Sequence, residues 1–451
     1  MDINLKDKNA IVCGSTQGIG EASAIALSKL GANITLIARN KTKLLDSYEY
    51  IEEGALVIDD GRISETGKFK EIIVKYPNYK VIDYRKNLIF PGFVDLHNHF
   101  PQVQVIGSYG TQLLEWLNKY TFPEEAKFHN ETYARDQAQN FIKLLLCNGT
   151  TTSVSFCSVH KMSVNALFEE ASRHNMCMIA GKVMMDRNAP KNLIDEPNSS
   201  YEDTKELISK WHGRGRNFYA ISPRFAITSS PKQLALAGRL MTENPSCYMQ
   251  THLSENKAEI EYTMSLYPNS KHYLDIYQEF GLISNRSLMG HSIHLNSDEV
   301  DILRRTDAVA VHCPTSNLFL GSGLFPLKIL VDSAVKVGIA TDVGGGTSFS
   351  MLNTLDGAYK IQQFLNFSLD PAYSFYWATL GNAKSLGLEK EIGSFKKGCY
   401  ADILVLDTAS DLCSKIRMKT CKSLTEELFI LQTLGGTHSV KAVYVAGKLS
   451  K

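Results

Sequence analysis

The sequence predicts an α/β protein in which a (β/α)8 barrel is joined to a small β-sandwich domain and preceded by a partial Rossmann-like β-α-β segment. Three observations lead to this prediction. Between residues 91 and 385, eight short apolar runs alternate with longer stretches of helical periodicity. Residues 46–90 and 386–451 both carry short alternating segments separated by Gly turns. Residues 1–45 follow the order strand, glycine turn, helix and strand.

The first 45 residues contain "NAIVCG", then "GIGEASAIALSKLG" with apolar residues at helical spacing, then "NITLIA". Gly14, Gly18 and Gly20 form the turn, and Gly31 stands where a glycine commonly ends a helix. The segment therefore predicts a β-α-β unit that is too short to be a complete domain.

The small β domain is predicted from segments at both ends of the chain. "GALVIDDGRISETG" and "KVIDYRKNLIF" precede the barrel, and "KKGCYADILVLD" and "SVKAVYVAGKL" follow it. Both sets consist of short strands with Gly turns, so we expect them to join in one β-sandwich. The strand "NITLIA" either replaces an edge strand of this sandwich or leaves that edge open.

The barrel strands are predicted at eight apolar runs: "FVDLHNH", "TTSVSF", "CMIAGKVMM", "FYAISPRF", "CYMQTHLSE", "LMGHSIHL", "AVAVHCP" and "VGIATDV". A doubly wound open sheet alternates strands and helices in the same way, so the count alone does not decide the fold. Polar residues favour the barrel, because barrel enzymes place catalytic groups at the carboxyl ends of their strands. Six residues have that position: His97, His99, Arg224, His252, His291 and Asp342.

A metal site is predicted at these strand ends. His97 and His99 are two residues apart on a strand, so their side chains point the same way while Asn98 points away. An H-x-H pair alone is more often a surface or hydrogen-bonded pair, but His252 and Asp342 repeat the same position on other strands. Three imidazoles and a carboxylate around an open position suit catalytic zinc, with iron as the alternative.

Proton transfer is assigned to Glu255, which follows His252 by three residues in the loop leaving the same strand. Its alternatives are a solvated loop carboxylate and a residue at a helix start. His291 is expected beside the metal, where it orients or stabilises the attacking water, unless it is a satisfied core histidine. That structural role is the expectation for His294.

Composition limits the possible partners and location. Lys and Arg number 48 against 47 Asp and Glu, so the charge balance favours neither nucleic acid nor an anionic membrane. The 9 cysteines include no C-x-x-C pair, which is typical of reduced cytosolic thiols. The charged start "MDINLKDKNA" does not fit a signal peptide, and a cytoplasmic location is expected.

From about residue 50 to the end, the chain resembles the guanine deaminases of the amidohydrolase superfamily. The motifs are "PGFVDLHNHFPQ", "GSYGTQLLEWLNKYTFPEEAKF", "SPRFAIT", "THLSEN", "GHSIHL", "HCPTSNLFLGSGLFPL" and "GIATDVGGGTSFSML". The resemblance implies a (β/α) barrel, hydrolysis of guanine to xanthine and ammonia, one zinc ion per chain and a homodimer. The other zinc nucleobase deaminases carry a P-C-x-x-C motif, which this chain lacks.

The resemblance also implies a role for each site residue. His97, His99, His252 and Asp342 would be zinc ligands, Glu255 the proton shuttle and His291 the accompanying histidine, with Asp342 also catalytic. Gln102, Arg224, Phe225 and His252 would contact the purine.

The chemistry of the purine agrees with these contacts. Guanine offers carbonyl, N–H and acceptor groups, which an amide such as Gln102 and a donor such as Arg224 can bind. Phe225 or Trp116 could cover its flat face. The alternative for Arg224 and Phe225 is an ion pair and a core aromatic at a strand end.

Residues 1–45 resemble the start of a short-chain dehydrogenase/reductase, and Arg39 would favour NADP. The resemblance stops before that family's catalytic residues, so we expect no dinucleotide binding and assign no residue to a cofactor of this kind. Two alternatives from other classes are an NADP-dependent reductase and a barrel that acts only as a scaffold. Within the favoured class, the alternatives are deaminases of another aminopurine, a pterin or an adenosine-like molecule.

Overall fold

The computed structural model describes residues 9–13, 33–37, 49–109 and 112–451. Strands β1 (Asn9–Cys13) and β2 (Asn33–Ile37) pair in parallel and form a two-stranded sheet of their own. The parallel pairing agrees with the predicted connectivity, whereas the predicted glycine turn and helix lie outside the described residues. Within the described residues, β2 pairs with β1 and not with the small β domain, so it does not replace an edge strand there.

The first half of the small β domain consists of β3 (Gly54–Asp59), β4 (Arg62–Lys68), helix α1 (Phe69–Lys75) and β5 (Leu88–Pro91). Strands β3 and β4 form an antiparallel hairpin joined by Asp60 and Gly61, both of which have positive φ. A two-residue turn of this kind matches the right-handed twist of the strands on either side.

The centre of the molecule is a nearly closed barrel of eight parallel strands, as predicted. In chain order its strands are β6 (Phe93–His99), β7 (Thr150–Phe156), β8 (Cys177–Gly181), β10 (Asn217–Pro223), β11 (Tyr248–Leu253), β12 (Ser287–His291), β13 (Val309–His312) and β14 (Lys336–Ile339). The short β9 (Val183–Met184) follows β8 and pairs with β10. Most barrel strands are buried on both faces, which explains why they are continuous apolar runs.

The barrel closes between β6 and the residues that follow β14. The backbone N–H of Asp342 donates to the carbonyl of His97 at 2.8 Å, and the N–H of His99 donates to the carbonyl of Val343 at 2.6 Å. Buried Asp95 adds a side-chain contact, since Oδ1 accepts the backbone N–H of Thr341 at 3.0 Å.

Helices surround the barrel. They are α2 (Leu113–Trp116), α3 (Phe122–Glu125), α4 (Glu131–Cys147), α5 (Lys161–Arg173), α6 (Pro197–Trp211), α7 (Pro231–Glu243), α8 (Lys257–Leu266), α9 (Tyr273–Glu279), α10 (Ser297–Thr306), α11 (Pro314–Phe319), α12 (Leu327–Asp332), α13 (Met351–Phe364), α14 (Pro371–Tyr376) and α15 (Asn382–Ser385). No helix in the described part of the chain has the length and apolar character needed to cross a membrane.

Helix α4 shows why these segments fold as helices. The Asn130 side chain caps its start by accepting the backbone N–H of Tyr133 at 3.0 Å. Its fully buried residues recur three or four positions apart, so one face packs on the core. Burial of each large apolar side chain on that face stabilises the folded state by about 1.5–3 kcal/mol.

The last part of the chain returns to the small domain through β15 (Ile403–Leu406), β16 (Val440–Val445) and β17 (Lys448–Leu449). These strands and β5 form a four-stranded antiparallel sheet. The sheet shares one apolar cluster with the β3–β4 hairpin, including Ile63, Ile403 and Val405. Strands from both chain ends therefore pack together, in partial agreement with the predicted β-sandwich; its domain boundaries remain a prediction.

Residues 386–451 also contain two helices, for which the sequence analysis made no prediction. They are α16 (Leu412–Met418) and α17 (Leu424–Leu434). Helix α17 packs on the barrel helix α13, where the rings of Phe429 and Tyr359 lie 4.8 Å apart. Part of the terminal segment therefore covers the barrel.

A buried ion pair connects the barrel to the small domain. Arg216 precedes β10 and Asp402 precedes β15, and both are almost fully buried. Arg216 Nη1 donates to Asp402 Oδ1 at 3.0 Å, and the same oxygen accepts the backbone N–H of Ala446 at 2.9 Å.

Asp402→Ala should lower the free energy of unfolding by about 3–5 kcal/mol, because it leaves the Arg216 guanidinium buried without its charge partner. The loss would be measured by urea denaturation. Asp301→Ala is the control, since Asp301 forms exposed ion pairs with Arg304 and Arg305, and such pairs contribute about 1 kcal/mol or less. Equal losses in the two variants would contradict the structural role of the buried pair.

Candidate active site

The polar residues predicted at the strand ends come together at one end of the barrel. His97 and His99 end β6, His252 lies on β11 and His291 ends β12. Asp342 lies three residues beyond β14. The carboxyl ends of parallel strands meet at one rim, so residues far apart in sequence become neighbours.

A β-bulge aims the two histidines of β6 into the barrel. Along β6 and β7, Asp95 pairs with Ser153 and Asn98 pairs with Ser155, so β6 has one extra residue there. Asp95 and Asn98 consequently share one side, where Asn98 Nδ2 donates to Asp95 Oδ2 at 3.0 Å. The bulge leaves His97 and His99 free to face the other histidines.

Three histidines form a cluster suited to a metal ion. His97, His99 and His252 each offer a ring nitrogen, and these atoms lie within 4.8 Å of one another. Asp342 Oδ1 lies 3.4 Å from Nε2 of His97 and 3.3 Å from Nε2 of His99. In a second overlapping group, His97 and Asp342 lie close to His291 and Cys313.

The hydrogen bonds around the cluster fit metal binding. His252 Nδ1 donates to the carbonyl of Arg224 at 2.8 Å, so its Nε2 keeps a free lone pair. Among the described residues, neither ring nitrogen of buried His97 has a hydrogen-bond partner. A ligating ion would satisfy nitrogen atoms that would otherwise be costly to bury.

The charge states also suit metal ligands. Burial is the main cause that holds the pKa of His252 well below its ordinary value, and the neighbouring His97 and His99 lower it further. The ring is therefore neutral. Burial would raise the pKa of Asp342, but the neighbouring side chains of His97 and His99 bring it well below its usual range. His252 therefore presents neutral imidazole and Asp342 ionised carboxylate, the forms in which these side chains bind metals.

Glu255 lies at the edge of this cluster. Its Oε2 is 3.4 Å from His291 Nε2, and its Oε1 accepts a hydrogen bond from Ser322 Oγ at 3.1 Å. Burial, with the nearby carboxylates of Glu259 and Asp342, raises the pKa of Glu255 well above its ordinary value. A raised pKa increases the proton affinity of the carboxyl, which suits a group that takes up a proton and passes it on.

Asn317 sets the orientation of His291. Asn317 Nδ2 donates to His291 Nδ1 at 2.9 Å, which places the ring proton on Nε2. Burial lowers the pKa of His291 to about 3, so the ring is neutral and donates through Nε2 alone.

His291 and Asp342 both have left-handed backbone conformations, with φ of 68° and 49°. Strain of this kind is concentrated at functional sites.

The cluster opens into a pocket with mixed walls. Its lining comprises His99, Gln102, Leu113, Trp116, Leu117, Arg224, Phe225, His252, Glu255, His291, Leu320, Asp342 and Gly345. Gln102 and Arg224 supply polar groups, while Trp116 and Phe225 supply aromatic surface. A flat molecule with hydrogen-bonding edges fits such walls.

Comparison with known proteins identifies the family. Residues 88–450 match the Amidohydrolase family. The chain belongs to this family. The amidohydrolase is similar to the guanine deaminase of Escherichia coli strain K12, at 47% identity over 431 residues that cover 95% of this chain and 98% of the relative.

Solved structures show the same relationship. An E. coli guanine deaminase structure matches with a TM-score of 0.90 and 48% identity, covering 92% of this chain and 96% of that chain. A guanine deaminase from C. acetobutylicum, solved with bound guanine in the active site, matches with a TM-score of 0.82 and 32% identity, covering 90% of this amidohydrolase and 96% of that chain.

The match to guanine deaminases reaches into residues 1–45. The alignment with the E. coli guanine deaminase leaves out only 5% of the amidohydrolase, which is fewer residues than this segment contains, so it extends into the segment. The resemblance to a short-chain dehydrogenase/reductase receives no support from these matches. A glycine pattern between two short strands is a weak signal without a complete nucleotide-binding domain.

The structure places each predicted site residue of the amidohydrolase at this rim, but their roles remain proposals. Three contributing residues were not assigned a role from sequence: Glu125, Asn317 and Ser322. His294 is partly buried and donates to the carbonyl of Ser322 at 2.8 Å. His312 stacks on Phe325 at 4.4 Å between ring centroids.

Chelation should lower the melting temperature of the purified amidohydrolase, and zinc should restore it. An ion that binds only the folded state stabilises that state by about 4 kcal/mol when the free ion concentration is 1,000 times Kd. His99→Ala should lose most of this zinc-dependent increase. His174→Ala, a change at an exposed histidine outside the cluster, should retain it. A wild-type melting temperature unaffected by both chelator and zinc would contradict a metal site here.

Proposed function

We propose that this amidohydrolase is a zinc-dependent guanine deaminase that hydrolyses guanine to xanthine and ammonia. The observation that carries the proposal is the 47% identity with a guanine deaminase over 95% of the chain. The pocket supports it, since a His/Asp cluster, a buried glutamate and hydrogen-bonding groups for a flat base line one cavity.

His97, His99, His252 and Asp342 would hold one zinc ion per chain. Nitrogen and carboxylate ligands suit zinc, and iron is the alternative with the same ligand types. Zinc in such a site supplies a Lewis acid and lowers the pKa of water to about 7. The hydrogen bond from His252 to the carbonyl of Arg224 holds that ring with Nε2 directed away from the carbonyl.

Glu255 moves the protons in this proposal. It takes a proton from the attacking water and gives it to the amino group that leaves the purine carbon. The Ser322 hydroxyl occupies Oε1 and leaves Oε2 on the side of His291. His291 donates through Nε2 and would stabilise negative charge that develops on the attacking oxygen.

Gln102 and Arg224 would bind the hydrogen-bonding edges of guanine. The guanidinium only donates, so it suits the carbonyl and ring-nitrogen acceptors, whereas the amide offers both a donor and an acceptor. Phe225 and Trp116 would cover the faces of the base. The homodimer and the cytoplasmic location remain predictions.

Purified protein of known zinc content should consume guanine, with xanthine and ammonia released in equal amounts. Guanine loss would be followed by absorbance, and both products would be quantified. Turnover should disappear on chelation and return with zinc. Zinc-loaded, folded protein that leaves guanine unchanged but deaminates another aminopurine or a pterin would overturn the assignment of guanine.

Glu255→Gln should lower kcat by about 10²–10⁴-fold, because the amide cannot accept and return a proton. Zinc content should stay at the wild-type level, since Glu255 is not among the proposed ligands. Glu261→Gln is the matched control, because Glu261 is exposed on the following helix, α8. Near-normal turnover in Glu255→Gln would refute the shuttle role.

A further inference from the structure

Glu125 is a buried carboxylate behind the pocket wall that has no role in the chemistry proposed above. Its side chain is 1% exposed, and it lies at the end of α3. Oε1 accepts a hydrogen bond from Gln102 Nε2 at 2.8 Å, and Oε2 accepts one from Arg224 Nη1 at 2.6 Å. One carboxylate therefore holds both residues proposed to bind the edges of the purine.

The contact determines which way round the Gln102 amide lies. An ionised carboxylate only accepts hydrogen bonds, so the NH2 end of the amide must face Glu125. Oε1 of Gln102 is then directed towards the backbone N–H of Gly344, at 3.4 Å, beside the Gly345 that lines the pocket. The donor and the acceptor of Gln102 consequently occupy defined positions at the pocket wall.

The same helix holds Arg224 from a second side. The ring of Phe122, one turn before Glu125, lies 5.3 Å from Arg224 Cζ. A guanidinium held by both a carboxylate and an aromatic face has little freedom to reorient.

We propose that Glu125 is a positioning residue for purine specificity: by orienting the Gln102 amide and the Arg224 guanidinium, it makes the pocket select guanine over purines with the opposite donor and acceptor order. The inference rests on the proposed guanine deaminase function. At ring positions 6 and 1, guanine presents an acceptor and a donor, whereas 2,6-diaminopurine presents a donor and an acceptor. Both molecules carry the 2-amino group.

Glu125→Gln tests this inference directly. The new amide can still accept from Arg224 through its oxygen, but its NH2 group then faces Gln102. Two facing NH2 groups repel, so the Gln102 amide should turn over and exchange its donor with its acceptor.

The measurement is the ratio of the inhibition constant of 2,6-diaminopurine to the KM of guanine. In zinc-loaded Glu125→Gln this ratio should fall at least about tenfold from the wild-type value, mainly through a higher KM for guanine, with a smaller effect on kcat. If Glu125 had only a structural role, the substitution would weaken the binding of guanine and of 2,6-diaminopurine alike and leave the ratio unchanged.

Glu124→Gln is the matched control. Glu124 is the adjacent glutamate of the same helix, is also largely buried, and pairs with Lys127 and the Tyr133 hydroxyl. This variant should retain the wild-type ratio.

If Glu125→Gln does not fold, Glu125→Asp keeps the charge but is too short to hold both partners, so the ratio should again fall. A folded, zinc-loaded variant that keeps the wild-type ratio overturns the inference about Glu125. The proposed function stays intact in that case, provided that the wild-type protein turns over guanine. Wild-type protein without guanine turnover overturns both.

Discussion

Closure of the barrel between β6 and residues 341–343 is the interaction on which the candidate site depends. The two backbone hydrogen bonds that close it involve His97, His99 and Asp342 themselves. The side chains of these residues can share one ion only if the closing strands are held in register. Asp95, whose side chain does not face the histidines, strengthens that register by accepting the backbone N–H of Thr341. The fold and the metal cluster are therefore formed by the same few contacts.

Bringing these residues together is energetically unfavourable in several ways. The Glu255 and Asp342 carboxylates are buried close together, and the left-handed conformations of His291 and Asp342 each cost about 1–3 kcal/mol. Such strain persists only where the surrounding structure is rigid. Here the apolar interior of the barrel lies below the site, and a larger apolar core lies between the strands and the outer helices. Packing of ordinary hydrophobic residues thus maintains an arrangement that the polar residues alone would not adopt.

The barrel and the His/Asp cluster at its rim were predictable because they follow simple periodic rules. Buried parallel strands are apolar runs, so His97, His252 and Asp342 were conspicuous where those runs end. The bulge in β6 was not predictable, since a one-residue shift in pairing leaves no mark in the hydrophobic pattern. The two strands expected within residues 1–45 are present and pair in parallel, but the attribution of this segment to a dehydrogenase was not supported. A short glycine pattern shows that a turn is permitted, and it does not show what the turn binds.

Asn317 and Glu125, which were missed from sequence, share one property with the backbone carbonyl of Arg224: each controls the hydrogen-bonding direction of another residue. Asn317 places the proton of His291 on Nε2, and the carbonyl of Arg224 places the proton of His252 on Nδ1. Glu125 does the same for the amide of Gln102. Such residues come from helix ends and loops and carry no periodic signal of their own. Their effect exists only in the folded protein, where each ambiguous donor or acceptor lies against a partner that permits one orientation. At this site, strand ends determine which side chains meet, and the residues behind them determine what those side chains can bind.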